Sequence, residues 1–436
     1  MKMELNNSHD GTVNKKIWQE IAAGAGNATL VLSSLLVLYP MLELSGVPYG
    51  GVLPAALTAV IITTLAGGIF FRMPVVLYPS MGLNSYLFYE LCISKAIPWQ
   101  NIMGLCLLAG AILLFVTYKG WLNYLYHCLP EYLIEIIPGV MGLYLLYRGL
   151  VQSHVVIGSP MTVTMSGNIY EPVFLAAALG LVTAIAVSYS FRQLAIPAGI
   201  FTALLVLLIQ GFVALPAQML MLPDALLSAT GQFNLCLDAV HIADYVTVLL
   251  LLVFDAMVAQ KMWQEKDSEV SSGTESKRLF YLTAIGNIMG GCLGAGAMTA
   301  AEGAAISRGC GGKTGLAAKA ACMLLLPVLF CGPLLREISQ QPVITACGLV
   351  LAGGFLLEQY AAGQGKSLLG DMHALAFWPR LMTLLLVPLW GDIAGGIGAG
   401  IILYILLAIW QGRAREITWG QYGLFAVFCL HFLLLI

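Results

Sequence analysis

Charge is what this sequence has least of. Only 10% of its 436 residues are Asp, Glu, Lys or Arg, against about 25% in a soluble domain. With 59% hydrophobic residues and a mean hydropathy of +0.88, the chain is excluded from the soluble globular class and reads as a polytopic membrane protein. A net charge of −2 excludes a basic nucleic-acid-binding surface. The ten cysteines are scattered and none form Cys-x-x-Cys, so neither a disulfide framework nor a thiolate metal site is expected. The six histidines do not cluster. Gly312-Lys-Thr314 is not a phosphate loop, because the first glycine that loop needs falls at Ser307. No nucleophile–base pair or cofactor motif is present, which leaves an enzyme without support and no cofactor expected. The polar segment 1–20 lacks the short apolar core and cleavage site of a signal peptide.

Long apolar runs are what is there instead. A helix needs about 20 apolar residues to cross a bilayer. Candidate spans fall near 21–42, 51–71, 74–94, 100–118, 131–151, 171–191, 195–215, 242–262, 279–294, 297–310, 314–335, 342–361, 374–391 and 393–411, and a last stretch at 418–436 is an extra span or a surface helix. With this assignment most Lys and Arg between spans fall on one side, and Lys95, Arg148 and Arg336 on the other. The asymmetry places the N-terminus in the cytoplasm of a cell (inner or plasma) membrane protein.

Fourteen spans divide into two sevens of opposite orientation. The third span of each half is interrupted by poor helix formers: Pro79 and Gly82 in one, Gly294, Gly296 and Gly303 in the other. Interruption at matching positions marks an inverted-repeat transporter. Freed N–H groups at two half-helix starts can grip a polar ligand.

Two acids sit where a membrane makes acids expensive. Asp255 lies inside the apolar run 246–258, and Glu302 in the glycine-rich stretch 286–303. An ionisable group at such depth is a functional-site hypothesis by default. A carboxylate accepts two N–H bonds from one edge of a heterocyclic base, and burial makes either acid a candidate proton carrier. Backbone N–H groups of Ser80, Met81, Gly82 and the region of Ala300 are candidate donors to the same ligand, and Met81 can cover a ring face. Asn84 and Asn287 read as hydrogen-bonding residues of the broken helices, with Asn84 also a candidate ligand contact. Asp392 reads as structural, at a turn; Glu90, Asp244 and Glu358 read as interfacial, reaching water.

The sequence resembles the Azg-type purine permeases, a branch of the nucleobase:cation symporter-2 family. The segments that carry the resemblance are Pro79-Ser-Met-Gly-Leu-Asn-Ser-Tyr86 with the later Pro98-Trp-Gln100, then Phe254-Asp255, Gly311-Gly-Lys-Thr-Gly-Leu316 and Pro388-Leu-Trp-Gly-Asp-Ile-Ala-Gly-Gly-Ile397. They keep the family's order across nearly the whole chain. The resemblance implies a 7+7 inverted-repeat, all-α fold. It implies a core domain from 21–118 and 242–335, a gate domain from 131–215 and 342–411, and an extra C-terminal helix at 418–436. It further implies a permease for purines such as adenine, guanine or hypoxanthine, working by alternating access with a proton or sodium ion as coupling ion, in a homodimer. Three departures stand out. Ser80 replaces the family's usual Gly, and Ala256 its usual Thr. An ungapped alignment anchored on Thr299 and Gly312 puts Gly303, rather than Glu302, at the place of the family's tenth-span acid; one residue is about 100° on a helix. A same-fold carrier of another heterocycle or of a small anion is the alternative.

Overall fold

The computed structural model describes residues 2–47, 52–122, 128–158, 164–166, 168, 170–191, 194–213, 216, 221, 230–235, 241–263, 274–301, 303–304, 307, 312–364 and 374–435. Its helices are α1 Lys2–Leu44, α2 Val52–Ala66, α3 Met81–Ser85, α4 Trp99–Lys119, α5 Glu131–Gln152, α6 Pro172–Ser190, α7 Ala195–Ile209, α8 Ile242–Trp263, α9 Thr274–Leu293, α10 Gly315–Leu325, α11 Gly332–Ser339, α12 Pro342–Gln364, α13 Phe377–Trp390, α14 Ile393–Trp410 and α15 Trp419–Leu435. Six helices among the described residues are long and apolar enough to cross a membrane: Lys16–Leu44, Leu53–Phe71, Trp99–Lys119, Glu131–Gln152, Pro172–Ser190 and Ile393–Trp410. The expected span 314–335 is not one straight helix. It bends by 86° between Gly315–Phe330 and Gly332–Ser339, at a point where Pro327 and Pro333 each remove a backbone donor.

Pairings in one half of the chain recur in the other. α4 packs on α9 as α2 packs on α10; α6 on α7 as α13 on α14; α5 on α13 as α6 on α12. α5 and α12 pack on each other, where Gly139, Gly142 and Gly149 abut Tyr360, Gly353 and Val350 so closely that a Cβ at any of the three would come within 3.0 Å of its neighbour. This is the pattern of an inverted repeat, with small residues letting helices approach. The recurring pairs fall within two helix groups, α1–α4 with α8–α10 and α5–α7 with α12–α14.

The expected breaks are real and have a common structure. After α2, Arg72 adopts φ 55, and the chain runs extended into strand β1, Tyr78–Pro79, before α3. A π-helical extension, Tyr86–Ser94, continues α3. After α9, Gly294 and Gly296 take φ 81 and φ 77, and the chain enters strand β4, Met298–Thr299. A side chain at Gly296 is barred twice, by its φ and because its Cβ would lie 2.3 Å from Asn84 Oδ1. Two short strands, β2 Val156–Gly158 and β3 Thr164–Ser166, form a separate antiparallel pair. β1 and β4 pair antiparallel, with Tyr78 opposite Thr299 and Pro79 opposite Met298. Residues 418–436 read in the sequence as an extra span or a surface helix. α15 packs on α14 and α8, with Phe428 fully buried against Gly398.

Candidate functional site

The β1–β4 crossing is held by side chains from its surroundings. Asn84 Nδ2 donates to the carbonyls of Ala297 at 2.7 Å and Ser80 at 2.8 Å, and Ala297 N–H donates to Asn84 Oδ1 at 2.8 Å. Asn287 does the same for the next residue: Nδ2 donates to Met298 O at 2.8 Å, and Met298 N–H donates to Oδ1 at 3.1 Å. Both asparagines are fully buried. Ser34 donates to the Pro79 carbonyl, and Thr64 exchanges hydrogen bonds with the Leu77 backbone at 3.2 and 3.3 Å. A broken backbone inside apolar surroundings needs every such partner.

Ser80 is the N-cap of α3. Its Oγ accepts from Leu83 N–H at 3.2 Å, and its own N–H donates to Ala297 O at 3.1 Å. The N–H groups of Met81 and Gly82 are first-turn donors, which precede any intrahelical partner. The expectation of three free donors at this start therefore narrows to two. Gly82 faces α5, where a Cβ on it would stand 3.0 Å from Met141 Cε.

Asp255, on α8, meets the other strand. Its carboxylate accepts from the Thr299 hydroxyl and the Ala300 N–H. Thr299 Oγ1 in turn accepts from Ala301 N–H at 3.2 Å. Asp255 Oδ2 is buried with no partner among the described residues, and so is the Tyr78 hydroxyl. An oriented carboxylate with one oxygen unsatisfied is an acceptor waiting for a donor. Tyr78 was not singled out from the sequence; its place directly before Pro79 is the only signal that could have found it.

The structure thus brings together Asp255, Thr299 and Ala300, and sets Ser80, Met81 and Gly82 at the start of the opposed half-helix. Glu302 lies outside the described residues. Gly303 is described, and it is tight: a Cβ there would lie 2.9 Å from the Val76 carbonyl. The alternative position for the tenth-span acid has no room for a side chain.

The Gly-Gly-Lys-Thr-Gly motif (Gly311 lies outside the described residues) turns out to be a docking point. Glu20 Oε1 accepts from Lys313 N–H at 2.8 Å and Thr314 N–H at 2.9 Å, tying α1 to the start of α10. Gly315 sits where a Cβ would be 2.0 Å from the Gly68 carbonyl.

Two residues expected to reach water do not. Glu90 is 2% exposed and Asp244 0%. They converge with Asp392 on Lys95, whose Nζ is 2.5 Å from Asp244 Oδ1, 3.7 Å from Glu90 Oε1 and 3.7 Å from Asp392 Oδ1. Each acid ends or opens its own apolar run, so the sequence showed span ends and not their meeting. The ammonium fills the cation position of this cluster.

A helical, multi-pass membrane protein with two crossed, interrupted elements and a carboxylate at their junction is a transporter of the inverted-repeat class. Comparison with solved structures agrees on the fold. The transmembrane domain of a cyanobacterium bicarbonate transporter, BicA, superposes with a TM-score of 0.55 at 16% identity, covering 87% of this chain and 97% of that one. No family model matches the chain. Curated relatives do. A protein of Methanocaldococcus jannaschii named only as a permease is 28% identical over 404 residues, 91% of this chain and 90% of its own. The guanine/hypoxanthine permease PbuG of Bacillus subtilis is 25% identical over 400 residues, 87% of each chain. The adenine permease AdeP of Escherichia coli is 26% identical over 357 residues, 80% of this chain and 78% of that one. The relatives carry transporter names, not enzyme names, and they are consistent with the nucleobase:cation symporter-2 family to which the motifs point.

Proposed function

We propose that this chain is a secondary active permease for purine nucleobases. The observation that carries the reading is Asp255: a carboxylate fixed by Thr299 and Ala300, with Oδ2 unsatisfied, at the crossing of the two broken elements. A purine offers adjacent N–H donors to that oxygen. Its carbonyl or ring nitrogens accept from the Met81 and Gly82 N–H groups, and the Tyr78 hydroxyl is a further polar partner. Met81 and Met141 supply apolar cover for the ring. The absence of space at position 303 supports Glu302 as the second acid.

The rest of the reading extends what the family resemblance implies. Fourteen spans in two inverted sevens cross the membrane, with the N-terminus in the cytoplasm, and α15 is an extra C-terminal helix beyond them. The first helix group is a core that carries the site, and the second is a gate against which it moves. A proton is the coupling ion, carried by Asp255 or Glu302, and the gate helices form a homodimer.

Uptake of labelled adenine, guanine and hypoxanthine into liposomes holding the purified protein tests the reading. Accumulation driven by an inward proton gradient and abolished by an uncoupler is expected. Accumulation that ignores both the proton gradient and the uncoupler would remove the proton, and no accumulation of any purine would remove the substrate class.

A further inference from the structure

The Lys95 cluster lies apart from the purine cradle, and it joins the two helix groups. Tyr86 and Glu90 belong to the extension of α3, Lys95 directly follows it, and Asp244 opens α8; all are in the core group. Asp392 is the N-cap of α14, in the gate group. Glu90 Oε2 accepts from Ile393 N–H at 3.1 Å. Asp244 accepts from Tyr86 Oη at 3.3 Å and lies 3.2 Å from His241 Nδ1. Beside it, Arg148 of α5 reaches the Gly391 carbonyl at 3.4 Å and lies over the rings of Tyr89 and Tyr144. All of these contacts are at the bundle end where α1 terminates, the outer end in the orientation proposed above.

The charges do not balance. Three carboxylates, with one oxygen of each within 4.8 Å of the others, face one ammonium. The two oxygens 3.7 Å from that ammonium, Glu90 Oε1 and Asp392 Oδ1, are buried with no hydrogen-bond partner among the described residues. Two carboxylates sharing a buried site cannot both ionise cheaply, and a buried unpaired oxygen is costly in itself. One proton between them removes both penalties.

We propose that Glu90 and Asp392 share a single proton, and that this protonated pair with Lys95 and Asp244 is a latch that closes the outer side of the core–gate interface. The proton enters from outer water and returns to it. Its loss sets Glu90 of the core against Asp392 of the gate as like charges and parts the two groups. Burial pushes the Asp392 carboxyl up, but the neighbouring Glu90 carboxyl and the Lys95 ammonium outweigh it and hold Asp392 below the usual carboxylate range. Lys95 is held above its ordinary value: burial pulls it down, and Asp244 and Asp392 more than offset this. The two carboxyls face each other closely enough to titrate as a unit. The groups facing it are Tyr86 from the α3 extension and Lys95 after it, His241 just before α8 and Asp244 in its first turn, Arg148 from α5, and His431 from α15. His431 is 2% exposed and neither ring nitrogen has a partner among the described residues.

The consequence for transport rests on the permease reading, but the test reads conformation alone. Hydrogen exchange of the full-length protein in lipid nanodiscs, corrected for intrinsic rates, is followed over 86–97, 241–250 and 388–398 from mildly acid to mildly alkaline pH, without ligand. In the wild type, protection of these segments falls by about tenfold as pH rises, the effect of one unit of pKa difference. Glu90→Gln keeps an acceptor for Ile393 and a permanent donor toward Asp392, so protection persists at every pH; Asp392→Asn does the same from the other side. Lys95→Gln loses protection throughout, and Lys95→Arg retains it. Wild-type protection that does not change with pH would overturn the proposal, as would Glu90→Gln and Asp392→Asn both behaving like Lys95→Gln. Failure of purine uptake would leave these outcomes untouched.

Discussion

The Asn84 side chain closes a two-way hydrogen bond with the peptide of Ala297, 213 residues away, at 2.7 and 2.8 Å. This pair locks the two half-chains together at the strand crossing. Asn84→Ala leaves the buried Ala297 N–H unpaired, at about 1–3 kcal/mol, while the Ala297 carbonyl keeps the Ser80 N–H. The expected result is a protein that unfolds at clearly lower temperature in detergent. An unchanged unfolding temperature would mean the crossing is held by the strand pairing alone.

Gly315 and Gly354 make a matched pair of substitutions. A Cβ at Gly315 would lie 2.0 Å from the Gly68 backbone, while one at Gly354 meets nothing within 4 Å. Gly315→Ala forces α10 away from the helical turn that follows α2, Gly67–Phe71, and destabilises by about 1–3 kcal/mol. Gly354→Ala is neutral or stabilising, because alanine restricts the unfolded chain. Parallel thermal unfolding of the two variants checks the contrast.

Glu20 holds the backbone just before α10 through the Lys313 and Thr314 N–H groups at 2.8 and 2.9 Å. Its loss in Glu20→Ala removes two hydrogen bonds to a charged acceptor, a change of about 1.5–3 kcal/mol. Faster exchange is expected in peptides covering 312–322, with the β1–β4 region unaffected. Equal loosening everywhere would point to global unfolding instead.

How much of this was legible beforehand follows from what each feature needs. The breaks at Pro79, Gly82, Gly294 and Gly296 were readable because proline and glycine act locally. Asp255 was readable because an acid inside an apolar run is anomalous on its own line of sequence. Glu90 and Asp244 were misread as water-facing because they sit near the ends of their runs, and their burial depends on Lys95 and Asp392 arriving from elsewhere. Asn84 looked equally able to hold ligand or backbone; only its register against Ala297 shows its amide engaged. The two crossing strands are two residues each, too short for any periodic signal.

Thr299 links Asp255 to the strand, donating to the carboxylate and accepting from Ala301 N–H. It acts as a positioning residue for the acid. Thr299→Val should weaken purine binding by about tenfold, the loss of roughly one hydrogen bond, while Thr299→Ser restores it. A full loss of folded protein in the valine variant, with serine no better, would assign Thr299 to structure alone.

The most direct measurement is thermal stabilisation of the purified protein by a panel of purines, pyrimidines and related heterocycles, with Asp255→Ala in parallel. A ligand at a hundred times its dissociation constant adds about 2.7 kcal/mol to the folded state. Stabilisation by a purine, abolished in Asp255→Ala with the variant still folded, is the result expected of a purine permease that binds through this carboxylate. Stabilisation by a purine that survives Asp255→Ala would contradict the site, and stabilisation only by a non-purine heterocycle would contradict the substrate.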